Sequence, residues 1–320
     1  MGNRVKFAAG KLCEFLLTAL LVSFFTFAAF SIIPGDAARV MLGTTATEEQ
    51  VEQLRTELGL NEPLAQRYVS WLTNAMRGDF GKSLAFSEPV SELISSRLPV
   101  TLGMSLIALI IVIVVSFPFA AVCSRRPGKF TDRALSAAGH ILFAIPPFAL
   151  SMMLIILFTR VFGIVAVGQY ARPSDDFGKF LSCLILPAFC IALPKIAMTF
   201  KFLRASMIEY SASDFARTSK SHGLTDFMIL IKHIIPNSAV SSITVISLVL
   251  SDIMGGSLIV EQVFNLPGLG RLLLAAISRR DFPLLSGIVF YLALMTVVLY
   301  FLSDMIAALI DPRIRDRRTS

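Results

Sequence analysis

Six apolar stretches, separated by polar segments of unequal length, dominate the chain: Phe15 to Ile33, Val100 to Val122, Ala134 to Phe162, Phe180 to Phe200, Ala239 to Val260 and Pro283 to Ile310. Each is about 19 residues or longer, enough for a helix to cross a hydrocarbon core of about 30 Å. The pattern predicts six transmembrane helices in an all-α integral membrane protein. Arg4, Lys6 and Lys11 precede the first run as they would in a signal peptide. That run, however, exceeds the roughly 7–15 residues of a signal core and is followed by no clear cleavage site, so it is read as a retained helix.

Two of the polar segments are long. In Pro34 to Arg97, Thr47 and Gln50 form a capping-box start and Gly59 is a natural stop; Asn61 and Pro63 restart a helix through Trp71, and Gly78 ends it before Ser87 and Pro89 begin another. In Arg204 to Asn237 the pattern is helix, turn, helix. Ser211 is placed to cap the amides near Asp214, Gly223 suits the left-handed position after a helix, and Thr225 can cap the next one. A helix over about Ala212 to His222 is roughly 16 Å long. It is too short to span and too polar to bury, so it should lie on the membrane surface with its side chains presented outward.

Composition agrees: 55% of the 320 residues are hydrophobic and 16% charged, with a mean hydropathy of +0.73, outside the range of soluble globular domains. Charge then orients the spans. With the N-terminus in the cytoplasm, the stretches 1–14, 123–133, 195–236 and 311–320 hold 3, 4, 6 and 4 Lys and Arg, 17 of the chain's 29, against 7 of its 22 acids. Both termini are therefore expected inside and the segment 34–97 outside. The excess of +7 reads as membrane topology and contact with anionic lipid, not as a nucleic-acid footprint, because the bases are scattered among helix ends. Cys13, Cys123, Cys183 and Cys190 form no CxxC pair, and His140, His222 and His233 lack ligand spacing, so neither a disulfide framework, a metal nor a bound cofactor is expected.

The stretch Glu209 to Asn237 resembles the EAA loop of binding-protein-dependent ABC importer permeases, with its Gly at 223 and an I-x-P ending at Pro236. Gly255 to Arg271, Arg280-Asp281-Phe282-Pro283 and Asp311-Pro312-Arg313 resemble the C-terminal signature of the dipeptide, oligopeptide and nickel branch. Pro34-Gly35-Asp36, Leu58-Gly59-Leu60, Gly78 to Ser83 and Pro146-Pro147-Phe148 extend the likeness in order along nearly the whole chain.

The resemblance implies the type I permease architecture of six spans, with an extracytoplasmic helical segment after the first. It implies a second homologous permease, two ABC ATPase subunits and an extracytoplasmic substrate-binding protein as partners, in a bacterial inner membrane. ATP is then used by the ATPase subunits. Gly81-Lys82-Ser83 does not make this chain an ATPase, because Met76 stands where a phosphate loop needs its first glycine. The expected division is 1–33 for the tip and first span, 34–97 for the outer segment, 98–310 for a five-helix core with its coupling loop at 204–237, and 311–320 for the tail.

By the same resemblance, Asp214, Phe215, Ala216, Arg217, Lys220, Gly223 and Leu224 belong to the coupling helix and its turn, which contact the ATPase. Family members commonly carry alanine at positions 219 and 221 and lysine at 222, where this chain has Ser219, Ser221 and His222. Asp252 lies about 14 residues into the fifth apolar stretch and Lys195 about 8 residues before Arg204; ionisable groups at such depths need a partner or a watery cavity. Their depths differ by roughly 9 Å, which argues against mutual pairing and makes them candidates for the translocation path.

Cargo stays open between short peptides and nickel or a metal chelate. A stand-alone secondary transporter or channel would call for inverted repeats and several mid-span carboxylates, and a membrane-anchored receptor for a folded soluble domain larger than the outer segment.

Overall fold

The computed structural model describes residues 2–32, 39, 46–57, 61–163, 168 and 170–310. Pro34-Gly35-Asp36, Leu58-Gly59-Leu60, Asp311-Pro312-Arg313 and the tail 311–320 lie outside the described residues. Helices α1 (Gly2–Ile32), α2 (Glu48–Glu57), α3 (Leu64–Met76), α4 (Val90–Ser124), α5 (Phe130–Ala144), α6 (Pro147–Phe162) and α7 (Phe177–Ala212) come first. The short α8 (Asp214–Ser221) and α9 (Asp226–Ile229) follow, then a π-helical turn at Leu230–Ile234, α10 (Ile235–Val263), α11 (Leu269–Ser278) and α12 (Phe282–Ile310).

Five of these helical runs are long and apolar enough to span a membrane; α5 and α6, bent by 105° at a short break, together have the length and composition of one more broken span or of a re-entrant pair. The bend falls at Pro146-Pro147: Pro147 takes the first turn of α6, where its missing N–H costs nothing, and cannot continue α5. Leu16, Leu17, Phe24 and Phe25 on α1 stay exposed, the reverse of a soluble helix and the pattern of one whose outer solvent is lipid.

The described chain divides into two compact units. The larger is built mainly from Pro99–Gly268. Along α4 every fourth residue from Val100 through Met104, Ala108, Val112, Ser116 and Ala120 to Ser124 is buried. The Val100 to Val112 part of this i±4 ridge packs in one cluster with Leu184, Ala188 and Ile191 of α7 and with Val249, Ile253 and Val260 of α10. Glu261 directly follows the fifth apolar stretch, yet no loop opens there. It sits in the last turn of α10, fully buried, accepting a 2.6 Å hydrogen bond from Thr101 Oγ1.

The second unit joins Gly10–Leu98 to Leu269–Val298. Thr47 and Gln50 form the expected reciprocal capping box of α2, at 3.0 and 3.3 Å. Two of the motifs singled out in the sequence meet here. Asp281, fully buried, caps α12 by accepting from the Leu284 N–H at 3.2 Å, and its other oxygen accepts from Ser83 Oγ at 2.5 Å and the Ala85 N–H at 3.0 Å. Ser83 of Gly81-Lys82-Ser83 is thus spent on a structural clip. Arg279 adds its guanidinium over the Phe86 ring, 4.9 Å from the centroid, and Trp71 packs edge-on against Phe290 at 5.2 Å.

Candidate functional site

Between the two spanning helices α7 and α10 the chain turns polar, and that change forms α8. Ser213, not Ser211, stands at its N-cap: Ser211 Oγ donates to the Met207 carbonyl and Ser213 Oγ to that of Tyr210. The reason is that α7 continues to Ala212, more than two turns beyond Arg204 where the sequence turns polar, so position 211 is still helical. Asp214 then supplies the negative charge that suits the first turn of α8.

The other end closes as expected. Gly223, at φ +84°, follows the last turn, with its N–H on the Lys220 carbonyl at 3.0 Å and the Leu224 N–H on that of Ser219 at 3.3 Å. This pair of bonds is a Schellman closure, which needs a residue comfortable in the left-handed region. Thr225 Oγ1 accepts from the Met228 N–H at 3.3 Å and starts α9.

One side of α8 is held and the other is free. Ala216 is buried with Leu203 and Met207 of α7 and with Ile229, Leu230 and Ile234 of the next run, and Leu224 packs on the same cluster. Phe215 is half-exposed with Tyr210 and His233 as aromatic neighbours, 6.4 and 6.2 Å between ring centres. Asp214, Arg217 and Lys220 project outward, with side chains 99%, 77% and 69% exposed. Lys220 reaches Asp226 at 3.0 Å across the turn, an exposed ion pair of small energetic weight. The π-helical turn follows directly and ends where Pro236, lacking an N–H, cannot join a regular ladder.

Sequence reasoning missed the side chains that tie this loop to the preceding one. Asp132, at the start of α5, is 3% exposed and accepts both Nε and Nη2 of Arg204 on α7, together with the Gly128 N–H at 2.7 Å. The signal available was Asp132 as the lone acid among four bases in 123–133.

Lys195 and Asp252 are brought together against expectation: Lys195 Nζ donates to Asp252 Oδ2 at 2.9 Å. The helices do not end at the edges of the apolar runs. Helix α7 continues to Ala212, 17 residues past Lys195, and α10 begins at Ile235, 17 residues before Asp252, so the two groups lie at one level. Asp252 remains 56% exposed and Lys195 16%.

Residues 116–316 match the family described as binding-protein-dependent transport system inner membrane component, and residues 4–105 match the description of its N-terminal part. A probable peptide ABC transporter permease protein of Sinorhizobium fredii is 35% identical over 95% of this chain and 97% of its own length. The oligopeptide transport system permease protein AppB of Bacillus subtilis is 32% identical over 92% and 94%. A chain of the MetNI methionine ABC transporter, solved in inward-facing conformations, shares the fold with a TM-score of 0.56 and 18% identity, covering 68% of this chain and 96% of that one.

Proposed function

The chain belongs to the binding-protein-dependent transport system inner membrane component family, and from that membership we propose that it forms half of the translocation pathway of an ATP-driven importer of short peptides. The relatives above carry peptide or oligopeptide in their names, which favours peptides over nickel as cargo. In this reading a second, homologous permease completes the pathway, two separate ABC ATPase subunits hydrolyse the ATP, and a binding protein delivers cargo to the segment 34–97 on the outer face of the bacterial inner membrane. Both termini then lie in the cytoplasm, with α8 as the coupling helix.

The observation that carries the reading is α8 itself: a helix fixed through Ala216 and Leu224 with Asp214, Arg217 and Lys220 left facing outward. A lever needs both properties, since an unanchored contact transmits no displacement and a buried one reaches no engine. ATP must also favour one state of the pathway over the other, because equal affinity for both would shift nothing. In the assembled importer, Arg217→Glu with Lys220→Glu is expected to cut ATP-driven peptide uptake roughly 30-fold or more, the scale of charge reversal at a docked interface. The melting temperature of the chain should not move. Uptake at the unaltered rate, or uptake by this chain without an ATPase, would overturn the proposal.

For Lys195 and Asp252 the same reading gives a polar step on the transport route. Their exposure supports it, since an ion pair kept only for packing gains nothing from leaving its carboxylate more than half open. Asp252→Asn is expected to lower peptide uptake about tenfold, the loss of one charge-assisted hydrogen bond. Full transport by this variant removes the pair from the route.

A further inference from the structure

The loop joining α4 to α5 carries Arg125, Arg126, Lys129 and Arg133, all exposed, and a single acid, Asp132. That acid is buried and engaged on both oxygens by Arg204 and Gly128. Four positive charges in nine residues therefore stand against one acid that Arg204 already neutralises. Beside them stand two aromatic rings in the open: Phe130, 85% exposed as the first residue of α5, and Phe227, 56% exposed in α9, with the Arg125 guanidinium 5.9 Å from its centroid.

Both rings lie in the first turn of an apolar run, Phe130 at the start of the bent α5–α6 pair and Phe227 at the start of the candidate span Asp226–Val263. Side chains in the opening turn of a span lie at headgroup level, where rings sit with their edges wet and bases meet lipid phosphates. We propose that this loop, with Arg125, Arg126 and Lys129 as the charges and Phe130 and Phe227 as the apolar rim, is a binding site for the headgroup of an anionic phospholipid.

A soluble protein surface fits less well. Eleven residues on, three helical turns along the same face of α5, Ile141 is exposed as well, so the ring at Phe130 continues into an apolar face that suits lipid. The inference rests on the chain spanning a membrane and is independent of cargo and of the coupling helix.

The test is native mass spectrometry of the full purified chain titrated with phosphatidylglycerol or phosphatidylcholine. The unaltered chain is expected to bind phosphatidylglycerol more tightly, with a preference that weakens as salt rises. Arg125→Gln with Lys129→Gln should weaken phosphatidylglycerol association about fivefold per charge removed and leave phosphatidylcholine association and the melting temperature unchanged. The charge-keeping exchange Arg125→Lys with Lys129→Arg should retain the preference. Equal binding of the two lipids by the unaltered chain, a preference insensitive to salt, or unchanged phosphatidylglycerol binding by the glutamine variant would each overturn the proposal. A glutamine variant that keeps its lipid but no longer copurifies with a protein subunit would assign the loop to that subunit instead.

Discussion

Gly268→Ala is expected to destabilise the chain by about 3–5 kcal/mol, adding overpacking to the loss of a charged hydrogen bond. A Cβ at position 268 would stand 2.3 Å from both the carboxyl carbon and Oε2 of Glu261. A glutamate at the surface would swing aside. This one is fully buried, and Thr101 holds its Oε1 at 2.6 Å, so relief of the overlap requires giving up that bond inside the protein. Against a total stability of about 5–15 kcal/mol the change should lower both the amount of chain recovered from membranes and its melting temperature in detergent. Because the damage runs through one side chain, the two substitutions should not be additive: Gly268→Ala placed on Glu261→Ala should cost little more than Glu261→Ala alone. Additive losses would show that the glycine serves something other than room for the carboxylate.

The second large effect falls on the pair that joins the α4–α5 loop to α7. Asp132→Ala leaves Arg204 without its bidentate partner and the Gly128 N–H without an acceptor, in a place where the acid is 3% exposed and the arginine 27%. Breaking such a pair from one side costs about 3–5 kcal/mol, whereas replacing both members by apolar residues of similar volume is close to neutral. Asp132→Leu with Arg204→Met is therefore expected to melt within about 1 kcal/mol of the unaltered chain, while Asp132→Ala melts well below it. Arg204 lies on the same helix as the anchor of α8, ten residues before Asp214. Peptide uptake by the stable double variant separates a stabilising pair from one that also keeps α8 in position: unaltered uptake gives the first, reduced uptake at equal stability the second.

The spans were legible in the sequence because a membrane imposes a length, and an apolar run of that length serves little purpose except to cross one. The polar interlude after α7 was legible for the opposite reason, and Thr225 and Gly223 marked its turns by chemistry that acts over three or four residues. What stayed hidden depends on where helices end and on which groups meet. Helix α7 runs on through Arg204, Ser206 and Ser211, polar residues that the hydropathy pattern assigns to a loop, and α10 begins before its apolar run; together these put Lys195 and Asp252 at one level. Hydropathy falls at Glu261, as it would at the start of a loop, although the backbone stays helical through Val263. Asp132 could have paired with any of several bases, and no local rule selects Arg204. The motifs at 78–83 and 280–283 were each visible, but that Ser83 reaches Asp281 is a fact of tertiary structure.

That last contact sets an order of events during synthesis. Ser83 leaves the ribosome 198 residues ahead of Asp281, which at about 5–20 residues per second is a wait of roughly 10–40 s. For that interval Val90, Leu93 and Ile94 lack the Leu269, Leu272, Leu284 and Ile288 side chains that later bury them. A segment made early in the chain is thus among the last to be finished, and a product halted before α12 would carry an open apolar edge for quality-control proteases to find.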